Sequence, residues 1–138
     1  MRGSIDRVER LADGSVLIVD LKTGRSAPTG AAVQEHPQLA SYQLALASGA
    51  VEAAGDDAVS GGASLLFVSH GVRGRPYRES RQGVLDEEGL DAFRERVRAA
   101  ARGMAGAVFV ARLDEHCEGR HGGPCRIHVV GDVTGERR

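Results

Sequence analysis

The sequence lacks an excess of charge of either sign, although 27% of its residues are charged. The formal net charge is −1 at pH 7, whereas domains that coat nucleic acid by bulk charge usually carry a clear excess of lysine and arginine. Any contact with nucleic acid must therefore be local. The basic residues are nearly all arginine, and they concentrate in residues 71–102.

Long apolar runs and a framework of cysteines are absent as well. No run approaches the ~20 apolar residues that cross a bilayer, and the opening MRGSIDRVER lacks the apolar stretch of a secretion signal. We therefore expect a cytoplasmic location and no membrane partner. Two cysteines do not make a disulfide framework. A length of 138 residues with 41% apolar content predicts one soluble globular domain with a single core.

Two strands are predicted near the start of the sequence, SIDRVERL over 4–11 and SVLIVDLK over 15–22. The continuous apolar run of the second strand is typical of burial on both faces. Between them, ADG suits a three-residue hairpin loop with Gly14 in the left-handed region. This loop pairs Leu11 with Ser15.

The same register places two acids, Asp6 and Asp20, opposite each other. Directly opposed residues have Cβ atoms about 4.5–5.5 Å apart, where like charges are destabilising. Side chains alternate along a strand, so Lys22 projects to the same face as Asp20. Paired carboxylates are ligands that Mg²⁺ or Mn²⁺ prefers, and a metal would remove the repulsion. The simpler alternative is a surface ion pair of Asp6 with Arg7 or Arg10.

One helix and two further strands are predicted next along the sequence. HPQLASYQLALASGA, residues 36–50, reads as a helix on which Gln38 and Tyr42 stack on neighbouring turns. ASLLFVSH, residues 63–70, is typical of a buried strand, and RGRPYRES, residues 73–80, of an edge strand, because an edge tolerates proline. GDDAVSGG, residues 55–62, is interpreted as a loop.

The clearest helical pattern is LDEEGLDAFRERVRAAARGMAGAV, residues 85–108. Asp86 suits the N-cap. The predicted apolar stripe consists of Leu90, Phe93, Val97, Ala101 and Met104. The opposite face carries Arg94, Arg96, Arg98 and Arg102, which either line a path for DNA or, as we favour, form a solvated helix surface.

Three motifs in order, within GSIDRVERLADGSVLIVDLKTG and HPQLASY, resemble the RecB-like exonuclease branch of the PD-(D/E)XK nuclease superfamily. That branch shows a Gly-x-x-Asp-Arg strand, an Asp-x-Lys-Thr-Gly strand and Gln-x-x-x-Tyr on a helix. The matching residues are Gly3, Asp6 and Arg7, then Asp20, Lys22, Thr23 and Gly24, then Gln38 and Tyr42. The resemblance implies an α/β fold with a mixed central sheet flanked by helices.

The resemblance also implies roles for the residues of the motifs. Asp6 and Asp20 would bind the catalytic Mg²⁺ or Mn²⁺, with the main-chain carbonyl of Leu21 as a further ligand. Lys22 would serve the attacking water and the transition state of DNA phosphodiester hydrolysis. The Gln-x-x-x-Tyr pair would contact the DNA strand or hold the active-site loop.

Members of this branch have one more helix before the first motif, which supplies a Glu or His to the metal. Only two residues precede Gly3 here, so we expect this helix to be missing and the chain to be the C-terminal module of a helicase-nuclease of the RecB, AddB or AdnB type. The expected partners are single-stranded DNA, helicase domains of the same polypeptide and a second helicase-nuclease subunit. The alternatives are a catalytically inactive guiding or interface module and a stand-alone Cas4-like nuclease.

The boundaries predicted for this chain are a nuclease core over residues 1–112 and an irregular tail over 113–138. The tail contains His116, Cys117, His121, Cys125 and His128. Zinc takes Cys and His ligands, but this spacing is not a common finger pattern, and an iron–sulfur cluster ordinarily needs four thiolates. We therefore favour a polar tail over a zinc or iron–sulfur site at Cys117 and Cys125.

Overall fold

The computed structural model describes residues 3–55, 57–69, 71–72 and 74–106, and the compact unit Met1–Arg102 holds all of its strands. The elements in chain order are β1 Arg7–Arg10, β2 Val16–Lys22, α1 Ala31–Gln34, α2 Pro37–Ala47, a 3₁₀ turn Glu52–Ala54, β3 Ser60–Phe67, β4 Arg78–Gln82 and α3 Glu87–Ala105. Within these described ranges, no helix is long and apolar enough to cross a membrane. The predicted boundary at residue 112 lies outside them and stays a prediction.

The hairpin of β1 and β2 has the predicted register. Arg7 pairs with Val19 and Arg10 with Val16, in an antiparallel ladder. Gly14 has a φ of 85°, which lies in the left-handed region that glycine adopts without strain. The predicted first strand was too long at its start, because the ladder begins at Arg7. Asp6 therefore directly precedes β1 instead of lying within it.

The carboxylate of Asp13 stabilises the hairpin loop. Asp13 Oδ1 accepts hydrogen bonds from the backbone nitrogen of Ser15 at 2.9 Å and from its hydroxyl at 2.6 Å. These bonds favour the charged carboxylate, and they lower the pKa of Asp13 below its ordinary value. The loop therefore supplies its own polar contacts and fixes where β2 begins.

The four strands form one mixed sheet in the order β1-β2-β3-β4. Strands β2 and β3 are parallel, and the other two pairs are antiparallel. The connection between the parallel strands carries α1 and α2, and α2 packs against β3. The core includes Ile18 of β2, Leu39 of α2 and Leu65 of β3, each 2% exposed or less. This mixed sheet with helices confirms the predicted fold class.

Strand β2 is buried on both faces, as its apolar run predicted. Val16 and Ile18 belong to the core beside α2, and they are 1% and 0% exposed. Leu17 and Val19 alternate with them on the opposite face, and they are also buried. A strand enclosed on both faces holds Asp20, two residues before its end, in a fixed position.

Strand β3 begins in a segment that was predicted to be a loop. It starts at Ser60 and runs through Gly61 and Gly62, which are weak strand formers. A Cβ atom on Gly61 would lie 2.7 Å from Ser15 Oγ, and Gly62 has a φ of 97°. Close approach and a left-handed backbone therefore require these glycines, next to an irregularity in the β2–β3 register.

The last two elements match their predicted types but not all their predicted details. The edge strand β4 begins at Arg78, after Pro76. Asp86 caps α3, because its Oδ1 accepts a hydrogen bond from the Gly89 nitrogen at 2.8 Å. The predicted apolar stripe of α3 is buried only in part, since Phe93 is buried, Leu90 and Val97 are half-buried, and Met104 is 76% exposed.

Candidate active site

The residues of the three motifs lie at one end of the sheet. Asp20 and Lys22 lie at the C-terminal end of β2, and both side chains point to the face on which α2 packs. Helix α2 brings Gln38 and Tyr42 to that face from neighbouring turns. Asp6 reaches the same end from the residue before β1.

Asp20 is the centre of the cluster. It is 5% exposed, and its Oδ1 accepts a hydrogen bond from the Tyr42 hydroxyl at 2.6 Å and another from Gln38 Nε2 at 2.7 Å. Gln38 Nε2 also donates to the Tyr42 oxygen at 2.8 Å. Burying a carboxylate is costly unless it is paired and hydrogen-bonded. The two residues of α2 therefore stabilise the acid at the end of β2.

Lys22 supplies the positive charge beside this acid. Its Nζ lies 2.6 Å from Asp20 Oδ2 and donates to Gln38 Oε1 at 3.0 Å. The contact with Oδ2 is an ion pair that is not aligned as a hydrogen bond, so this buried oxygen has no hydrogen-bond donor. Lys22 is also the only lysine among the 18 basic residues of the chain.

Asp6 joins the cluster through the backbone of β2. Its Oδ2 accepts a hydrogen bond from the Leu21 nitrogen at 2.9 Å. The alternative of a surface ion pair is wrong, because Arg7 pairs with Glu9 at 2.8 Å and Arg10 donates to two main-chain carbonyls. The exposed Asp6 carboxylate thus remains directed at the end of β2.

The phenol of Tyr42 is strongly perturbed. Burial and the hydrogen bond to Asp20 raise the pKa of Tyr42 to about 12, and the negative charges of Asp20 and Asp6 act in the same direction. A phenol with this pKa stays protonated at neutral pH, so it remains a donor to the carboxylate.

Sequence reasoning missed His36, which precedes α2 at the N-cap position. Its Nδ1 is buried and has no hydrogen-bond partner. Burial, followed by the nearby positive charge of Lys22, lowers the pKa of His36 from its ordinary value, and Asp20 opposes this effect. His36 therefore borders the cluster as a neutral ring. A histidine before a proline gives no local signal of such a position.

The donor atoms of the site fit a hard divalent cation. Mg²⁺ is commonly bound through one or two carboxylates, with water and substrate oxygens completing its shell. Asp6 and Asp20 provide two carboxylates, and Asp20 Oδ2 forms an ion pair with Lys22 but accepts no hydrogen bond. Among the residues that the structure describes, no cluster of three or more His, Cys, Asp or Glu side chains suited to a metal occurs. Any further ligands would therefore be carbonyl, water or substrate oxygens, or groups outside the described residues.

The fold and the site together point to hydrolases that act on phosphate esters. Two acids and a lysine lie at one end of a parallel strand pair in a mixed sheet, beside a helix that donates hydrogen bonds to one of the acids, Asp20. The model of the PD-(D/E)XK nuclease superfamily matches residues 1–127, and the chain belongs to this superfamily. Membership of a nuclease superfamily indicates phosphodiester hydrolysis on a DNA substrate. A comparison with curated proteins found no match.

The cysteines and histidines of residues 116–128 lie outside the described residues. The predictions for zinc, for an iron–sulfur cluster and for a polar tail therefore stay predictions.

Proposed function

We propose that this chain is the exonuclease module of a RecB-like, ATP-dependent helicase-nuclease that processes DNA double-strand breaks. The observation that carries the proposal is the cluster at Asp20, where residues of the second and third motifs bond one another within 2.6–3.0 Å. These contacts hold a buried carboxylate beside Lys22, the single lysine of the chain. The order and spacing of the three motifs support the RecB-like branch.

Asp6, Asp20 and the main-chain carbonyl of Leu21 are proposed to hold Mg²⁺ or Mn²⁺. The metal, when bound, supplies a Lewis acid that neutralises charge on the phosphate and lowers the pKa of water. Asp20 is suited to this task because Gln38 and Tyr42 occupy one of its oxygens, whereas the other lies against the ammonium group of Lys22 without an aligned hydrogen bond. The helix residues thus fix which carboxylate oxygen is available.

Lys22 is proposed to act on the reacting groups. Its ammonium group lies between Asp20 and Gln38, where it can orient an attacking water and stabilise the negative charge that develops on the phosphate. The water oxygen forms a bond to phosphorus, the ester P–O bond breaks, and a proton passes to the departing oxygen. A lysine suits this role as a compact point charge with rotatable donors, unlike the arginine used elsewhere in the chain.

The proposed substrate is single-stranded DNA delivered by the helicase domains of the same polypeptide, in the cytoplasm, with a second helicase-nuclease subunit as partner. A net charge of −1 gives this chain little general attraction for DNA. Delivery by a motor would remove the need for such attraction. Cleavage would then depend on local contacts at the site.

The test is cleavage of end-labelled single-stranded DNA in Mg²⁺ or Mn²⁺ by wild type and by Lys22→Ala. We expect the variant to lose cleavage, and EDTA to abolish cleavage by wild type. Arg25→Ala, which removes an exposed cation three residues further along, serves as the matched control and should cleave normally. Normal cleavage by Lys22→Ala would contradict the proposed role. In the enzyme that contains the helicase domains, a Lys22→Ala variant that still unwinds DNA but no longer cuts it would support the role.

Metal binding can be measured separately from cleavage. A crystal soaked in Mn²⁺ should show an anomalous peak between Asp6 and Asp20, and Asp20→Asn should remove it. If the wild-type crystal lacks this peak and the enzyme also fails to cut DNA, an inactive DNA-guiding or subunit-interface module would be favoured instead. A short polypeptide without helicase motifs around this chain would favour a Cas4-like nuclease.

A further inference from the structure

Two glutamine side chains form a pair inside the protein, away from the acids of the site. Gln43 of α2 and Gln82 of β4 are each 1% exposed. Gln43 Nε2 donates to Gln82 Oε1 at 3.0 Å and to the Gly83 carbonyl at 2.9 Å. Its Oε1 accepts from the Leu85 nitrogen at 2.9 Å and from the Ser60 hydroxyl at 3.3 Å. The amide of Gln43 is therefore fully bonded.

The second glutamine continues the network to the element before α2. Gln82 Nε2 donates to the main-chain carbonyl of Gln34 at 2.7 Å. The Gln34 side chain in turn donates to the Arg81 carbonyl at 3.2 Å and accepts from the Gly83 nitrogen at 3.1 Å. These bonds connect α1 and α2 to the edge strand over some 40 to 50 residues of sequence. Each bond is directional, so together they restrict the position of both helices.

The remaining buried contacts of α2 are apolar. They come from Leu39, Ala40 and Leu46, and hydrophobic contacts are not directional. The N-cap residue of α2 makes no side-chain capping bond, and no charged residue occupies its first or last turn in a way that would orient it. Apart from the site residues Gln38 and Tyr42 themselves, Gln43 is thus the buried residue of α2 whose directional contacts specify a particular rotation of the helix.

The rotation of α2 decides whether the site forms. Gln43 directly follows Tyr42, about 100° further round the helix. A rotation of about 10° would move a phenol oxygen that lies roughly 9 Å from the helix axis by about 1.5 Å. Such a shift would break the 2.6 Å hydrogen bond from Tyr42 to Asp20, and the bond from Gln38 would move with it.

We propose that the buried pair of Gln43 and Gln82 positions the active site by fixing the rotation of α2, which holds Gln38 and Tyr42 on Asp20. Gln43 and Gln82 are positioning residues, because they act through α2 and touch neither the acids nor Lys22. The catalytic consequence rests on the proposed nuclease function, whereas the structural consequence does not require activity.

The first measurement is the fluorescence of Tyr42. The chain has no tryptophan and two tyrosines, so Tyr77→Phe leaves Tyr42 as its only tyrosine. A carboxylate that accepts a hydrogen bond from a phenol quenches the emission of that phenol. In the Tyr77→Phe background, Gln43→Met and Gln82→Met are each expected to raise the emission of Tyr42 at neutral pH. Unchanged emission in folded Gln43→Met would overturn the proposal.

The double variant Gln43→Met/Gln82→Met separates positioning from stability. Removing one partner leaves buried polar groups unpaired, whereas replacing both with apolar groups of similar shape can be nearly neutral. Because the two side chains contact each other, we expect the double variant to lose less stability than the sum of the two single losses, while its Tyr42 emission stays high. If emission returns to the wild-type value together with stability, the pair is structural only, and the proposal fails. This test also applies if a single variant does not fold.

The matched control is Leu46→Met, which changes the buried face of α2 at similar volume without touching the amide pair. It should leave both Tyr42 emission and cleavage unchanged. In the double variant kcat is expected to fall by about 10- to 100-fold with KM unchanged, since small misplacements of catalytic groups cost rates of this order. If the helicase-nuclease that contains this chain does not cleave, the proposed function fails, and the emission data still decide the role of the pair.

Discussion

Helices α2 and α3 show that a regular sequence pattern and a functional position are separate properties. Helix α3, Glu87–Ala105, has the strongest apolar and charged faces, but it buries one residue, Phe93. Helix α2, Pro37–Ala47, has a much weaker amphipathic pattern and buries four residues, one of them Gln43. The weaker pattern arises because α2 uses one side for the core and a neighbouring side for the site.

The charges of the two helices are used differently as well. On α3, Arg94 and Arg98 form ion pairs with acids one turn away, and Arg96 lies over the Phe93 ring at 5.7 Å. On α2, no charged residue occurs, and two uncharged side chains bond the buried carboxylate of Asp20 instead. Uncharged donors therefore stabilise the buried acid of the site, whereas two exposed arginines of α3 pair with acids of the same helix.

The largest expected difference between the helices concerns stability. Leu39→Ala in α2 removes a side chain that is 0% exposed, and it should lower the free energy of unfolding by about 3 kcal/mol. Val97→Ala in α3 removes a partly buried side chain and should cost less than about 1 kcal/mol. Urea denaturation followed by circular dichroism measures both values. Equal losses would mean that α3 is as much a part of the core as α2.

Tyr42→Phe in α2 should have an intermediate effect. At a pH below 10 it should lower the free energy of unfolding by about 1–2 kcal/mol, because it removes a hydrogen bond to a charged group. The pKa of Tyr42 is about 12 when folded, against 10.0 for an ordinary tyrosine. The unfolded chain therefore loses this proton first, so the stability contributed by the shift is complete below pH 10.0 and declines as the pH rises towards 12.

Urea midpoints at several pH values between 8 and 12 measure this decline in wild type. Tyr42→Phe should lack it, and Tyr77→Phe should keep it. If Tyr42→Phe shows the same decline as wild type, the perturbed group is not Tyr42.

The smallest effect is expected from the arginines of α3. Arg94→Ala and Arg98→Ala each remove an exposed ion pair, and each should change the free energy of unfolding by less than about 0.5 kcal/mol. Their effect on the affinity for labelled single-stranded DNA, measured by fluorescence anisotropy over a range of salt, should also be small. A clear loss of affinity with a reduced salt dependence would show that α3 contacts phosphates.

Local features were predictable from the sequence. The ADG loop fixed the register that places Asp6 beside the end of β2, because a short loop and a glycine with positive φ leave few alternatives. The spacing of Gln38 and Tyr42 predicted that they would be neighbours, and they bond each other at 2.8 Å. The motifs also predicted the superfamily, which the match over residues 1–127 confirms.

Features that depend on distant residues were not predictable. The start of β3 was missed because two glycines weaken a strand pattern, and the reasons for them are the close approach of Gly61 to Ser15 and the positive φ of Gly62. The pairing of Gln43 with Gln82 joins residues 39 positions apart, and nothing in either local sequence indicates it. The hydrogen bonds from α2 to Asp20 likewise depend on how the helix packs on the sheet. The metal and DNA roles of the site residues stay predictions.

The single lysine of the chain has a consequence for covalent chemistry. Lys22 carries the only side-chain amine, and its side chain is 33% exposed while it contacts Asp20. An amine-selective dye can therefore attach to one side chain only, and that side chain belongs to the candidate site. The rate of labelling would measure how often the contact between Lys22 and Asp20 opens, without any substrate or engineered cysteine.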